Sequence, residues 1–186
     1  MVRQAPAAVG HHGAMARPAG PVDIRRIRPD EGQVLRELRL AALQDAPTAF
    51  SSTFGAEAAF TDSLWEERAR RGAAGDDLAT LVAVDGERPV GLVVGLREPP
   101  GAPDVELVSM WTAPGVRRRG VARALAQALL DWAGATGAAE VRLWVTRGNV
   151  AAERLYAGLG FLPTGASQPL PSDPAHTERR LARTVP

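Results

Sequence analysis

The sequence predicts an α/β fold, a mixed sheet with helices on both faces, in the element order β-α-α-β-β-β-α-β-α-β-β. Three observations predict it. Apolar runs of strand length stand at Leu78 to Val84, Pro89 to Leu96, Val105 to Thr112 and Glu140 to Thr146. Between and around them lie longer runs with apolar residues at helical spacing. The first two strand runs are joined by Asp85-Gly86-Glu87-Arg88, which has the length and the turn chemistry of a hairpin. Strands alternating with helices bury both faces of a sheet.

In chain order, Met1 to Pro21 is rich in Ala, Pro and Gly and cannot offset its ordering entropy, so a disordered tail is expected there. His11 and His12 lie within it. A single domain is expected over residues 22–186. Val22 to Arg28 alternates as a strand and stops at Pro29. From Asp30, Val34, Leu35, Leu38, Ala41 and Ala42 recur at helical spacing, with Arg36, Glu37 and Arg39 outside, until about Asp45. Ala46 to Phe54 reads as a loop offering two exposed aromatics, Phe50 and Phe54. Ser63 with Glu66 resembles a capping box, opening a short helix to Arg71.

Glu98 to Pro103 is a Pro-rich connection. After the strand at 105–112 comes a helix on which Ala122, Leu125, Leu129 and Trp132 share one face while Arg123 and Gln127 stay out. Gly134 to Ala138 closes it. Asn149 to Leu159 is a helix with Ala152, Leu155, Tyr156 and Leu159 on one stripe and Gly160 at its end. Phe161 to Thr164 and Thr177 to Arg183 read as closing strands around a Pro-rich loop. There is no internal repeat.

Composition narrows the chemistry. The 186 residues carry 22 basic and 21 acidic side chains, a net charge of +1, so no global field favours nucleic acid or an anionic membrane. No apolar run approaches the roughly 20 residues that span a bilayer. The amino-terminal stretch lacks the apolar core of a secretory signal, and a cytoplasmic protein is the expectation. Without cysteine there is no disulfide, no thiolate metal site and no cysteine to carry an acyl group. The three histidines give little material for a metal site or a serine-histidine triad.

The stretch Pro114 to Ala133 is the most informative. Arg117-Arg118-Arg119-Gly120-Val121-Ala122 is a basic turn running straight into an amphipathic helix. Amides at a helix start are unpaired and sit at the positive end of the helix dipole, so they suit a pyrophosphate. Gly120 lets a ligand approach the backbone, and the arginines supply charge. A charge run is otherwise a solvated turn, and Asn149 is otherwise a plain helix N-cap.

With its preceding strand, Arg117-x-x-Gly120-x-Ala122 resembles the GCN5-related N-acetyltransferases (GNAT), acyl-coenzyme A dependent enzymes whose pattern is Gln/Arg-x-x-Gly-x-Gly/Ala. Asn149-x-x-Ala152-x-x-x-Tyr156-x-x-x-Gly160-Phe161 resembles the second half of that family's coenzyme site. The resemblance covers about Val22 to Arg183. It implies that backbone groups of Met110, Trp111 and Thr112 pair with the pantetheine arm, and that amides of Arg118 to Arg123 hold the pyrophosphate. Asn149 is then near the pantetheine and Tyr156 beside the thioester sulfur. The fold so implied splays the fourth and fifth strands apart, with a β-bulge expected at Ser109 to Trp111.

The resemblance implies acetyl-CoA as co-substrate, no metal, and an amine acceptor. Tyr156, with an ordinary pKa of about 10, is a sensible proton donor to a leaving thiolate, and a backbone N–H near Met110 to Thr112 is a sensible oxyanion donor. Glu106, fourteen residues before Gly120, matches the fourth-strand glutamate of the histone-acetylating relatives and is the candidate base; a strand glutamate is otherwise a solvated one. The fifth-strand alternative is missing, because Trp144 stands there. Phe50, Phe54 and Trp144 are candidate acceptor-groove residues. Direct attack in a ternary complex is the reading without a cysteine. A non-catalytic acyl-CoA binding or sensing protein is the rival. Homodimers are common among such relatives, and nothing in the sequence names an interface.

Overall fold

The computed structural model describes residues 22–185. The tail expectation for residues 1–21 and the two adjacent histidines lie outside the described residues. The elements are β1 (Asp23–Arg26), α1 (Gly32–Asp45), α2 (Phe54–Ala58), α3 (Asp62–Ala73), β2 (Leu78–Asp85) and β3 (Arg88–Leu96), then β4 (Asp104–Thr112), α4 (Val121–Ala135), β5 (Glu140–Thr146), α5 (Val150–Gly158), β6 (Leu162–Leu170) and β7 (Asp173–Thr184). The strands form one seven-stranded sheet in the order β1-β2-β3-β4-β5-β7-β6, antiparallel except for β4 against β5.

Alternation along the central strands feeds two cores. On β2, Leu81 and Ala83 join one hydrophobic cluster while Val82 and Val84 join the other; on β3, Val93 and Leu92 divide the same way. Leu125 and Leu129 of α4 and Tyr156 and Leu159 beyond it close the first face. Leu35, Leu38 and Ala42 of α1 with Trp65 of α3 close the second. The helical spacing of apolar residues in the sequence thus marks the faces that pack, and Arg123 and Gln127 stay exposed. Among the described residues, no helix is long and apolar enough to cross a membrane.

Four local expectations are corrected. The segment read as a loop contains a short 3-10 turn (Pro47–Ala49), and an unexpected helix, α2, starts at its last residue, Phe54, capped by the Thr53 hydroxyl, which accepts from the Ala56 amide at 3.3 Å. Phe50 is buried rather than exposed, because the Arg39 guanidinium lies 4.8 Å from its ring centre and the second core closes over it. The third helix is capped by Thr61, two residues before Ser63, whose hydroxyl instead meets that of Thr61. The Pro-rich loop near the end is mostly strand: β6 and β7 form a long hairpin at the sheet edge. Pro163 and Pro169 sit on an edge strand, where a missing amide proton costs no ladder bond.

Two irregularities shape the middle of the sheet. Between Leu92↔Trp111 and Val94↔Val108 the fourth strand carries one extra residue, and Ser109 has φ +57°, a conformation costly for a residue with a Cβ. Beta-4 pairs with β5 only from Asp104 to Glu106. Beyond Glu106 the two strands part, so one edge of β4 from Leu107 to Thr112 has no strand partner.

Candidate active site

The parting of β4 and β5 opens a cavity of about 340 Å³. Ser109 and Met110 come from the bulge, Trp144 and Thr146 from β5, Asn149 and Tyr156 from α5 and the turn before it. Arg39 and Phe50 close it from the α1 side, and Glu178 of β7 from the edge. A second cavity of about 320 Å³ lies under α1 and α3, and Arg39, Val108 and Ser109 line both.

Met110, Asn149, Tyr156, Phe50 and Trp144 are therefore brought together around one space. Trp111 and Thr112 are buried just beyond it, Trp111 in the second core. Phe54 and Glu106 do not line the cavity. The turn of Arg117, Arg118 and Arg119 stands past the end of β4. The bulge expected at Ser109 to Trp111 is present, and so is the splay.

Tyr156 is buried against Phe161, ring edge to face at 5.5 Å, yet its hydroxyl has no protein hydrogen-bond partner among the described residues. Burial pushes the phenol well above its ordinary pKa. It is held neutral at physiological pH and carries a proton to give, but it is a weaker acid than a free phenol, so the match to a thiolate expected from its ordinary pKa is reduced. Asn149 caps α5, its side-chain oxygen accepting from the Ala152 amide at 3.2 Å.

Glu106 lies on the sheet face that carries α1 and α3, opposite Leu96 on one side and Arg142 on the other. Arg180 of β7 donates to its carboxylate. Burial pushes Glu106 up, and the charges of Arg180 and Arg142 only partly oppose this. Arg180 also lies 5.3 Å from the Trp144 ring centre.

At the basic turn, Gly120 has φ +83° and forms the N-cap of α4 with no side-chain cap. Its carbonyl accepts from Ala124, so the amides of Val121, Ala122 and Arg123 have no intrahelical acceptor. A Cβ added at Gly120 meets no protein atom within 4 Å, so the approach is open. Arg117 and Arg119 are partly committed: Arg117 donates to Asp45 and to the Thr112 carbonyl, and Arg119 to Asp85 at 2.8 Å. Arg123 donates to the Gly158 carbonyl at 3.0 Å, tying α4 to α5. Exposed amides, a positive helix end and unneutralised Arg118 fit a pyrophosphate.

The sequence profile of the Acetyltransferase (GNAT) family matches residues 40–161. The chain belongs to the GNAT family of acetyltransferases. Its GNAT fold is shared with solved structures at low identity. A GNAT-family acetyltransferase from Streptococcus pneumoniae is 20% identical with a TM-score of 0.75, over 89% of this chain and 100% of that one. A GCN5-related N-acetyltransferase from Kribbella flavida is 23% identical with a TM-score of 0.70, over 88% and 97%. Spermidine N-acetyltransferase from Vibrio cholerae, in complex with CoA and spermine, is 16% identical with a TM-score of 0.70, over 88% and 95%. Among curated proteins, none matches this sequence. As a GNAT protein the chain is an acyl-CoA dependent N-acetyltransferase.

Reading the sequence misses Arg39 and Glu178 as cavity residues. Arg39 reads as the solvated side of α1, but Glu57 of α2 draws it inward through three hydrogen bonds of 2.7 to 3.1 Å. Glu178 shares a charged run with Arg179 and Arg180. Strand alternation assigns it a face, and only the pairing Thr146↔Glu178 puts that face beside the cavity.

Proposed function

We propose that this protein transfers the acetyl group of acetyl-CoA directly to a primary amine in a ternary complex. The observation that carries the reading is the open edge of β4 at the Ser109 bulge, with the unpartnered Tyr156 hydroxyl lining the same cavity. Amides of Val121, Ala122 and Arg123, with Arg118, hold the pyrophosphate, and the free edge of Met110 to Thr112 pairs with the pantetheine arm. A backbone N–H there polarises the thioester carbonyl. Acetyl-CoA supplies the activated acyl group, and the residues position it and move protons.

Glu106 accepts the first proton from the acceptor ammonium, through water, since it stands outside the cavity lining. The amine nitrogen then bonds to the acyl carbon and the C–S bond breaks. Tyr156 gives its proton to the leaving thiolate and is restored by the second proton leaving the nitrogen. The balance is one amide, one thiol and one proton released. The cytoplasm is the proposed compartment, and a homodimer is compatible with the exposed β6 edge, where Leu162 is 70% exposed.

Thiol release with acetyl-CoA and a panel of primary amines tests this. The chain has no cysteine and all 22 basic residues are arginine, so a thiol reagent sees only released coenzyme and no lysine competes as acceptor. Intersecting double-reciprocal plots are expected. Parallel plots overturn direct transfer, and no release across the panel overturns the amine reading. Gly120→Val forces a branched side chain into a left-handed backbone at the cradle and is expected to abolish coenzyme binding.

A further inference from the structure

Among the described residues, four charged side chains are buried: Arg39, Glu57, Arg97 and Glu178. Arg39, Glu57 and Arg97 are hydrogen-bonded to protein groups, though Arg39 Nη1 is buried without an acceptor among the described residues. Arg39 and Glu57 pair with each other, and Arg68 approaches Glu57 at 3.6 Å. Arg97 donates to the carbonyls of Asp76, Ala102 and Thr136 at 2.6 to 3.1 Å. Glu178 is only 4% exposed, yet no cation lies within ion-pair distance of it among the described residues.

Its one side-chain bond comes from Gln168, which donates to Oε1 at 2.7 Å. Oε2 accepts no hydrogen bond from the protein, and the residue lines the cavity that holds Tyr156 and the β4 bulge. Phe50 and Trp144 line the same space and lower its polarity. A carboxylate in such surroundings, without a cation, is costly to the fold, and an incoming cation there is worth more than at the surface. Arg39 lines the cavity too; its Nε and Nη2 donate to Glu57, which Arg68 also approaches, and its Nη1 has no acceptor among the described residues.

We infer that Glu178 is the carboxylate that receives the acceptor's ammonium group, so that the acceptor is an aliphatic amine bound in its cationic form rather than an arylamine or other neutral nitrogen. The inference rests on reading the cavity as the transfer site and names its acceptor class. Glu178 binds and orients the amine beside the bulge; Glu106 and Tyr156 carry the proton steps. Thr146 on β5 and Gln168 on β6, its direct partners in the sheet, are uncharged, and Arg180, two residues along β7, is engaged by Glu106.

The test is calorimetric titration of the protein saturated with coenzyme A, using benzylammonium and its neutral isostere benzyl alcohol as probes. Wild type is expected to bind the cation at least about tenfold more tightly than the alcohol, the scale of one charge-assisted hydrogen bond. Glu178→Gln keeps an oxygen for Gln168 and is expected to reduce that ratio to about one without changing coenzyme A affinity. Glu178→Asp restores part of the preference. A preference that survives in Glu178→Gln, or is absent from wild type, overturns the inference. Coenzyme A is titrated first, so the two failures are distinct. A wild type that does not take coenzyme A sinks the proposed function together with the inference, whereas coenzyme binding with no cation preference sinks the inference alone.

Discussion

The Trp111 indole nitrogen donates to Asp45 Oδ2 at 2.9 Å, which ties the end of β4 to the last residue of α1. The same carboxylate takes Arg117, the first residue of the basic turn. One acidic side chain therefore fixes the strand edge and the cradle relative to each other, the two halves of the proposed coenzyme site. Asp45→Ala strands a buried indole donor and is expected to cost about 1–3 kcal/mol of stability. It also weakens coenzyme binding, because the turn loses its anchor. Asp45→Asn, which still accepts from the indole, recovers most of the stability and less of the binding. Thermal melts with and without coenzyme A separate the two effects; equal losses in both variants for both readouts refute the anchoring role.

Acid should unfold the protein through a defined set of carboxylates. Arg25 holds Glu31 low through hydrogen bonds, and Trp111 and then Arg117 hold Asp45 low. Burial pushes Glu57 up, but Arg39 and Arg68 outweigh it and the net direction is down. Each folded pKa is below its unfolded value of about 4. Their stabilisation is therefore full above that pH and is lost as the pH falls through the folded values. The melting temperature is expected to be level from neutrality to about pH 5 and to drop below about pH 4. Glu57→Gln should blunt that drop while costing about 3–5 kcal/mol at neutral pH, because it leaves Arg39 buried without its counter-charge. A drop of unchanged depth in this variant removes Glu57 from the account.

What the sequence made legible is what local periodicity carries. Leu125 and Leu129 are fully buried where their spacing puts them, the Asp85–Arg88 turn is a hairpin, and Asn149 caps its helix. The bulge and the splay were reached through the family resemblance rather than from spacing. What stayed hidden depends on contacts far apart in the chain. The segment before α2 is held by Thr146, whose hydroxyl donates to the Thr48 carbonyl at 2.8 Å across a separation of 98 residues. No local composition shows that Phe50 is thereby drawn in. The prolines of β6 argue against a strand when read alone, and only its edge position makes them harmless. Glu178 is hidden for the same reason: the role proposed for it depends on burial without a counter-cation, which no sequence pattern records.

Tyr156→Phe should separate chemistry from stability. The hydroxyl has no protein partner, so its removal leaves nothing unsatisfied, and the melting temperature is expected to hold. Loss of the proton donor is expected to cut kcat by about a hundredfold or more with little change in coenzyme affinity. A variant that melts early and keeps its specific activity would falsify the donor role. It would make Tyr156 a core residue packed on Phe161.

Glu106 and Arg180 pose the last question, because an ion pair is as easily structural as catalytic. If Glu106 is the base, kcat at saturating acceptor requires its ionised form and falls as the pH drops through its pKa. Burial sets that pKa above the ordinary carboxylate value, with Asp104 and Glu98 adding to the rise and Arg180 and Arg142 opposing it. Arg180→Gln removes the stronger opposing charge, so the acid limb is expected to move to higher pH while the alkaline activity is kept. Glu106→Gln is expected to erase that limb and to lower kcat by about a hundredfold. A purely structural pair predicts otherwise: both variants lose stability, and neither moves the limb. A pH profile of kcat for the three proteins, with melting temperatures alongside, decides between the two.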